Sequence, residues 1–164
     1  MITTQHSQHS HEARAHVAAA RRAKRLKAEA IGIDDGFISD MVEGFYAAIR
    51  KDDLLGPVFA ERIADWPPHL ARMKQFWRSI LHNTGEFSGN PMARHIAIPG
   101  LEERHFARWL DLFYANLHAM ADDPRACDLV GDRARMIAES LLTGILVRRK
   151  GIAGATQKES LPHV

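Results

Sequence analysis

Apolar residues recur every three or four positions from residue 34 to residue 150, and no alternating run long enough for a strand interrupts them. A chain patterned this way must bury one stripe from each of several helices, so the expected fold class is all-α. Asp34 and Asp35 can each cap a helix in which Phe37, Met41, Phe45 and Ile49 share a face, with Val42 and Tyr46 alongside. Asp52-Asp53-Leu54-Leu55-Gly56-Pro57 breaks that pattern, and Val58 to Ile63 reads as a short helical turn. Asp65-Trp66-Pro67-Pro68 opens the next helix, because proline suits a first turn whose N–H groups lack partners anyway. Its stripe is Leu70, Met73, Phe76, Trp77, Ile80 and Leu81. A longer helix from about Leu101 to Met120 turns Phe106, Trp109, Leu110, Phe113, Leu117 and Met120 inward. The last starts near Asp123-Pro124, buries Leu129, Val130, Ile137, Leu141 and Ile145, and stops at Gly151 after Lys150.

No repeat or linker divides residues 34–150, and 164 residues that are 46% hydrophobic suit one core of moderate size. Residues 1–33 form a basic extension rich in His, Ala and Arg, expected to be disordered or a marginal helix, and residues 151–164 are expected to fray. The first thirty residues hold six basic side chains against two acids, while the remainder holds sixteen against eighteen. The basic excess therefore belongs to the extension, and the balance elsewhere gives no reason to expect nucleic acid. His6, His9, His11 and His16 are too irregularly spaced to argue for a metal site. Cys127 is the only cysteine, which excludes an internal disulfide and a cysteine zinc cluster and points to a reducing cytoplasm. No apolar run reaches the length of a membrane helix, and Glu12 and Glu29 interrupt any likeness to a transit peptide.

Two histidines stand out from the ten. His95 lies in a segment bounded by Pro91 and Pro99, which limits the helix around it to about two turns. A side chain on so short a pinned segment is held at a fixed distance from whatever lies beneath, as an axial ligand to a buried cofactor requires. On spacing alone, a surface or hydrogen-bonded histidine is the commoner case. His69 lies four residues before Met73 and seven before Phe76, so it joins that apolar stripe in its first turn. Tyr46, His69 and Trp109 fit either a plain bundle, reaching polar partners at its rim, or an apolar cavity with a few convergent donors for a small ligand.

The local sequences separate these readings. Phe45-Tyr46, Arg50-Lys51-Asp52, Leu55-Gly56-Pro57-Val58-Phe59, Asp65-Trp66-Pro67-Pro68-His69-Leu70, Met73 and Phe76-Trp77 resemble the group III truncated haemoglobins. So do Thr84-Gly85-Glu86-Phe87-Ser88-Gly89-Asn90-Pro91 leading to His95, and His105-Phe106-Ala107-Arg108-Trp109-Leu110-Asp111-Leu112-Phe113, in the same order. The likeness spans roughly residues 36–147. It departs at Phe87, where the family commonly has tyrosine, and in the long basic extension.

The resemblance implies a two-over-two helical globin enclosing haem b, with His95 as the proximal ligand and Tyr46, His69 and Trp109 lining the distal side. Arg72 is a candidate partner for a haem propionate. Met73, Phe76, Trp77, Ile98, Phe113 and Ile137 are candidate porphyrin contacts. Reversible binding of O2, NO or CO is the leading expectation. NO dioxygenation or peroxidase-like chemistry with peroxide is the alternative, and would need an external electron donor. A third reading makes the chain a haem-based sensor acting through its extension. His69 is expected to gate the pocket, with a direct hydrogen bond to ligand or ligation of iron as its other roles. No membrane and no nucleic-acid partner is expected.

Overall fold

Asp34 shows how local chemistry sets the helix boundaries: its carboxylate accepts the Phe37 amide at 2.7 Å, so the helix starts where an acidic side chain satisfies a free N–H. A computed structural model describes the backbone of residues 3–155 and 160–164, and side chains of 7–151 and 160–164. His6 lies outside the described side chains. The helices are α1 (Thr3–Ala30), α2 (Asp35–Ile49), α3 (Leu55–Ala60), α4 (Trp66–Leu81), α5 (Pro91–Ile96), α6 (Glu103–Met120) and α7 (Pro124–Ala155). No strand occurs among the described residues.

α2 packs on α4, α6 packs on α7, and α2 crosses α6, giving two layers of two helices. Ile38, Met41, Phe45, Ile49, Leu110, Phe113, Leu117, Leu142 and Ile145 are all under 2% exposed at their junction. Full burial of each such side chain contributes about 1.5–3 kcal/mol, which makes this junction the main source of stability. The short α5 packs on α7, and α1 lies against α4.

Three boundaries differ from the sequence expectation. α3 begins at Leu55 rather than Val58, because the Asp52 carboxylate accepts the Leu54 and Leu55 amides at 3.2 and 2.9 Å. The extension forms α1, and its end enters the core: Ala28 and Ile33 are buried. Lys24 Nζ donates to the Ile80 carbonyl at 2.8 Å, and His82 Nε2–H donates to the Ile33 carbonyl at 2.7 Å. Neither partner lies within reach of α1 in sequence, so propensity alone undervalued this helix.

The C-terminal segment also departs from a frayed tail. Helical geometry breaks at Gly151, whose φ of 73° suits glycine, and then resumes to Ala155. Further on, Leu161 is 2% exposed, Val164 packs over Gly131, and the Tyr114 hydroxyl donates to the Pro162 carbonyl at 2.9 Å. Isolated apolar residues leave no period to read, which is why tertiary contacts here escape the sequence pattern. Residues 156–159 lie outside the described part of the tail.

Candidate functional site

α2 and α4 face one another with a two-by-two block of side chains. Tyr46 and Arg50 are one turn apart along α2 and its C-cap, and Trp66 and His69 one turn apart at the start of α4. In the inner pair, the Tyr46 and His69 rings meet at 5.2 Å and 89°. In the outer pair, the Arg50 guanidinium sits 4.7 Å from the centre of the Trp66 ring. Trp66 in turn meets His69 edge-on at 5.7 Å and 88°. Tyr46 is buried, His69 and Trp66 are half-buried, and Arg50 is exposed, so the block runs from core to rim.

The inner pair carries one polar atom that the described residues leave unpartnered. His69 Nε2 is buried without a hydrogen-bond partner among the described residues. Burial, with a smaller contribution from the Arg72 charge, holds the His69 imidazole below its ordinary pKa, so it is neutral near pH 7. Burial alone pushes the Tyr46 hydroxyl far above the ordinary tyrosine range, keeping it a protonated donor. A buried polar atom without a partner is costly, so the unpartnered His69 Nε2 beside a protonated tyrosine hydroxyl suits a polar ligand.

Phe45 links Trp109 to this pair, meeting Tyr46 at 5.0 Å and Trp109 at 5.1 Å, both edge-on. Trp109 stacks flat on Phe113 at 5.3 Å, and Phe113 on Trp77 at 5.2 Å. The candidate contacts then divide by exposure. Met73, Phe76, Ile98, Trp109 and Ile137 remain half-buried despite lying on inward stripes. Trp77 and Phe113 are 3% and 0% exposed and stack on one another.

His95 belongs to α5, whose start is fixed by Pro91 and by Asn90, the side chain of which accepts the Ala93 amide at 3.0 Å. The His95 Nδ1 lies 2.6 Å from the Pro91 carbonyl oxygen. A carbonyl only accepts, so Nδ1 carries the proton and Nε2 the lone pair. α7 holds the segment from below: Met92 lies so close to Gly144 that any larger residue there would collide with its sulfur. Past α5, the Arg149 guanidinium donates to the carbonyls of Leu101 and Ile98, clamping the link to α6.

Arg72 is half-buried beside the loop that joins α4 to α5. Its guanidinium lies 5.5 Å from the Phe87 ring and donates weakly to the Ser88 carbonyl at 3.4 Å. Phe87, the departure noted in the sequence, packs edge-on against Phe76 at 5.1 Å, so its ring is used without a hydroxyl. Sequence reasoning missed Arg50, Trp66 and Arg149. The first two were accessible: each lies three or four residues from a named site residue on the same helical face.

The donor set suits a haem group. A neutral imidazole with its Nδ1–H tied to a carbonyl presents the nitrogen that iron takes, and half-buried apolar side chains suit a flat apolar ring. No family model matches the chain. It is 32% identical over 110 residues to the group 3 truncated hemoglobin ctb of Campylobacter jejuni, an alignment covering 65% of this chain and 86% of that protein. It also resembles the crystal structure of group III truncated hemoglobin from Campylobacter jejuni, with a TM-score of 0.65 at 30% identity over 69% of this chain and 91% of that one. At that identity over most of the relative's length, and with the same helical fold, this chain belongs to the group III truncated haemoglobins, a family whose name implies a haem-binding globin.

Proposed function

We propose that the chain holds haem b through His95 Nε2 and reversibly binds a diatomic ligand, O2, NO or CO, on the side of Tyr46 and His69. Ferrous haem, when bound, would supply the iron that takes such ligands. The chain would supply the rest. His95 Nε2 would hold the iron, with the Pro91 carbonyl setting the imidazole tautomer. Met73, Phe76, Ile98 and Ile137 would meet the apolar ring, and Arg72 would bond a propionate in exchange for its weak bond to Ser88. Tyr46, as a donor, and His69, as donor or gate, act on the ligand, while Trp109 offers its indole N–H from the next helix. The observation that carries this reading is the buried, unpartnered His69 Nε2 against the Tyr46 ring.

A reducing compartment, the cytoplasm, suits a chain whose single cysteine is buried and has no internal partner. No described helix is long and apolar enough to cross a membrane. Titrating the reduced full-length protein with CO tests the proposal. One CO per chain is expected, with a sharp change in the haem absorption bands; no change on adding CO would refute it.

A further inference from the structure

We propose that Arg50 and Trp66 form a latch that holds His69 inward and so sets the rate at which a small ligand enters. The inference rests on the proposed ligand pocket at Tyr46 and His69, and concerns what closes it. The four side chains are layered: Tyr46 and His69 inside, Arg50 and Trp66 outside. An imidazole turning about its own χ1 from pocket to solvent has to clear the Trp66 ring, which stands edge-on to it at 5.7 Å. Trp66 is itself held on two sides, by the Tyr46 ring at 6.0 Å and by the Arg50 guanidinium at 4.7 Å.

The backbone around the latch is stiff. Pro67 and Pro68 lock φ in the first turn of α4, so opening is a matter of side-chain rotation rather than helix movement. Arg50 lies at the C-cap of α2, with its N–H bonded to the Tyr46 carbonyl at 3.0 Å. The cation is therefore anchored to the same helix as the inner donor, while the ring it holds is anchored to the helix of the gate. Separating Arg50 from Trp66 removes the outer of the ring's two supports and leaves the Tyr46 contact in place.

Flash photolysis of CO from the full-length, haem-loaded protein tests this. An exposed cation over a half-buried tryptophan is worth enough to change the bimolecular association rate by about two- to five-fold, and Arg50→Ala is expected to raise it by that much. Arg50→Lys keeps a cation and is expected to restore most of the slower rate. Combining Arg50→Ala with Trp66→Ala is expected to be no faster than Trp66→Ala alone, because both remove one device. A second readout does not depend on entry: in the CO-bound form, the His69 ring-proton resonances should move toward those of a solvent-exposed imidazole in Arg50→Ala. If Arg50→Ala leaves both rate and resonances at wild-type values while His69→Ala speeds entry, the latch is overturned and the gate stands. If His69→Ala also leaves entry unchanged, gate and latch fall together.

Discussion

The Nδ1 of His95 lies 2.6 Å from the carbonyl oxygen of Pro91, one helical turn back in the same short helix. That bond settles the proton on Nδ1, orients the ring and strengthens Nε2 as a base toward a metal. The proline that starts α5 thus also supplies the acceptor that prepares its histidine.

The same helix depends on Asn90, whose side chain satisfies the Ala93 amide. Removing such a cap costs about 1 kcal/mol. Asn90→Ala should therefore release haem to an acceptor globin about five-fold faster than wild type, at the usual 1.4 kcal/mol per decade. An unchanged transfer rate would mean that α5 does not limit haem retention.

Tyr46 is a buried hydroxyl kept protonated, so under the proposed function it would donate to a bound polar ligand. O2 accepts hydrogen bonds far better than CO. A bond from Tyr46 worth about 1.5–3 kcal/mol implies that Tyr46→Phe speeds O2 release by roughly ten- to a hundred-fold. CO release should change little, and equal effects on the two ligands would exclude hydrogen bonding as the cause.

The proposed His69 gate implies a pH dependence of definite sign. Inside the pocket, burial first and the Arg72 charge second depress its pKa; swung into solvent, it regains an ordinary value of about 6.5. The outward form therefore binds protons more readily, and its population rises as pH falls below that ordinary value, levelling off once pH passes below the depressed one. CO association should accelerate over this window in the wild type and stay flat in His69→Ala. Acceleration on raising the pH would contradict the assignment.

Asp52 joins α3 to α6. Burial works against its ionisation, but Arg108 and the amides of Leu54 and Leu55 outweigh it and hold the carboxyl below the usual range. Its oxygen lies 2.6 Å from Arg108 Nη2, and its side chain is 4% exposed. Because the folded-state pKa is lowered, the stabilisation is present above the ordinary carboxylate value and is lost as pH falls through the lowered one. Asp52→Asn should cost about 1.5–3 kcal/mol in denaturant melts at neutral pH, and less than that in acid. A cost that does not change with pH would show that the charge is irrelevant.

The layers were legible in the sequence because helix periodicity dominates residues 34–150, and Phe45, Leu110 and Phe113 lie in the core where their spacing puts them. The short α5 was legible from its two prolines. Exposure within a stripe was not: Phe76 and Trp77 are neighbours on α4, yet one stays half-buried against Phe87 and the other is buried in an aromatic stack with Phe113. That difference depends on what α6 presents, which no local pattern encodes. Arg149 escaped notice for the same reason, since the carbonyls it clamps lie 48 and 51 residues away. Arg50 and Trp66, by contrast, were legible, four residues from Tyr46 and three from His69 on the same helical faces.

Coordination by His95 is tested most directly by the low-frequency vibrational spectrum of the reduced, ligand-free full-length protein, compared with His95→Gly in the absence and presence of imidazole. The account predicts an iron–imidazole stretching band in the wild type that is missing from His95→Gly and restored by added imidazole. The same band persisting in His95→Gly without imidazole would contradict it.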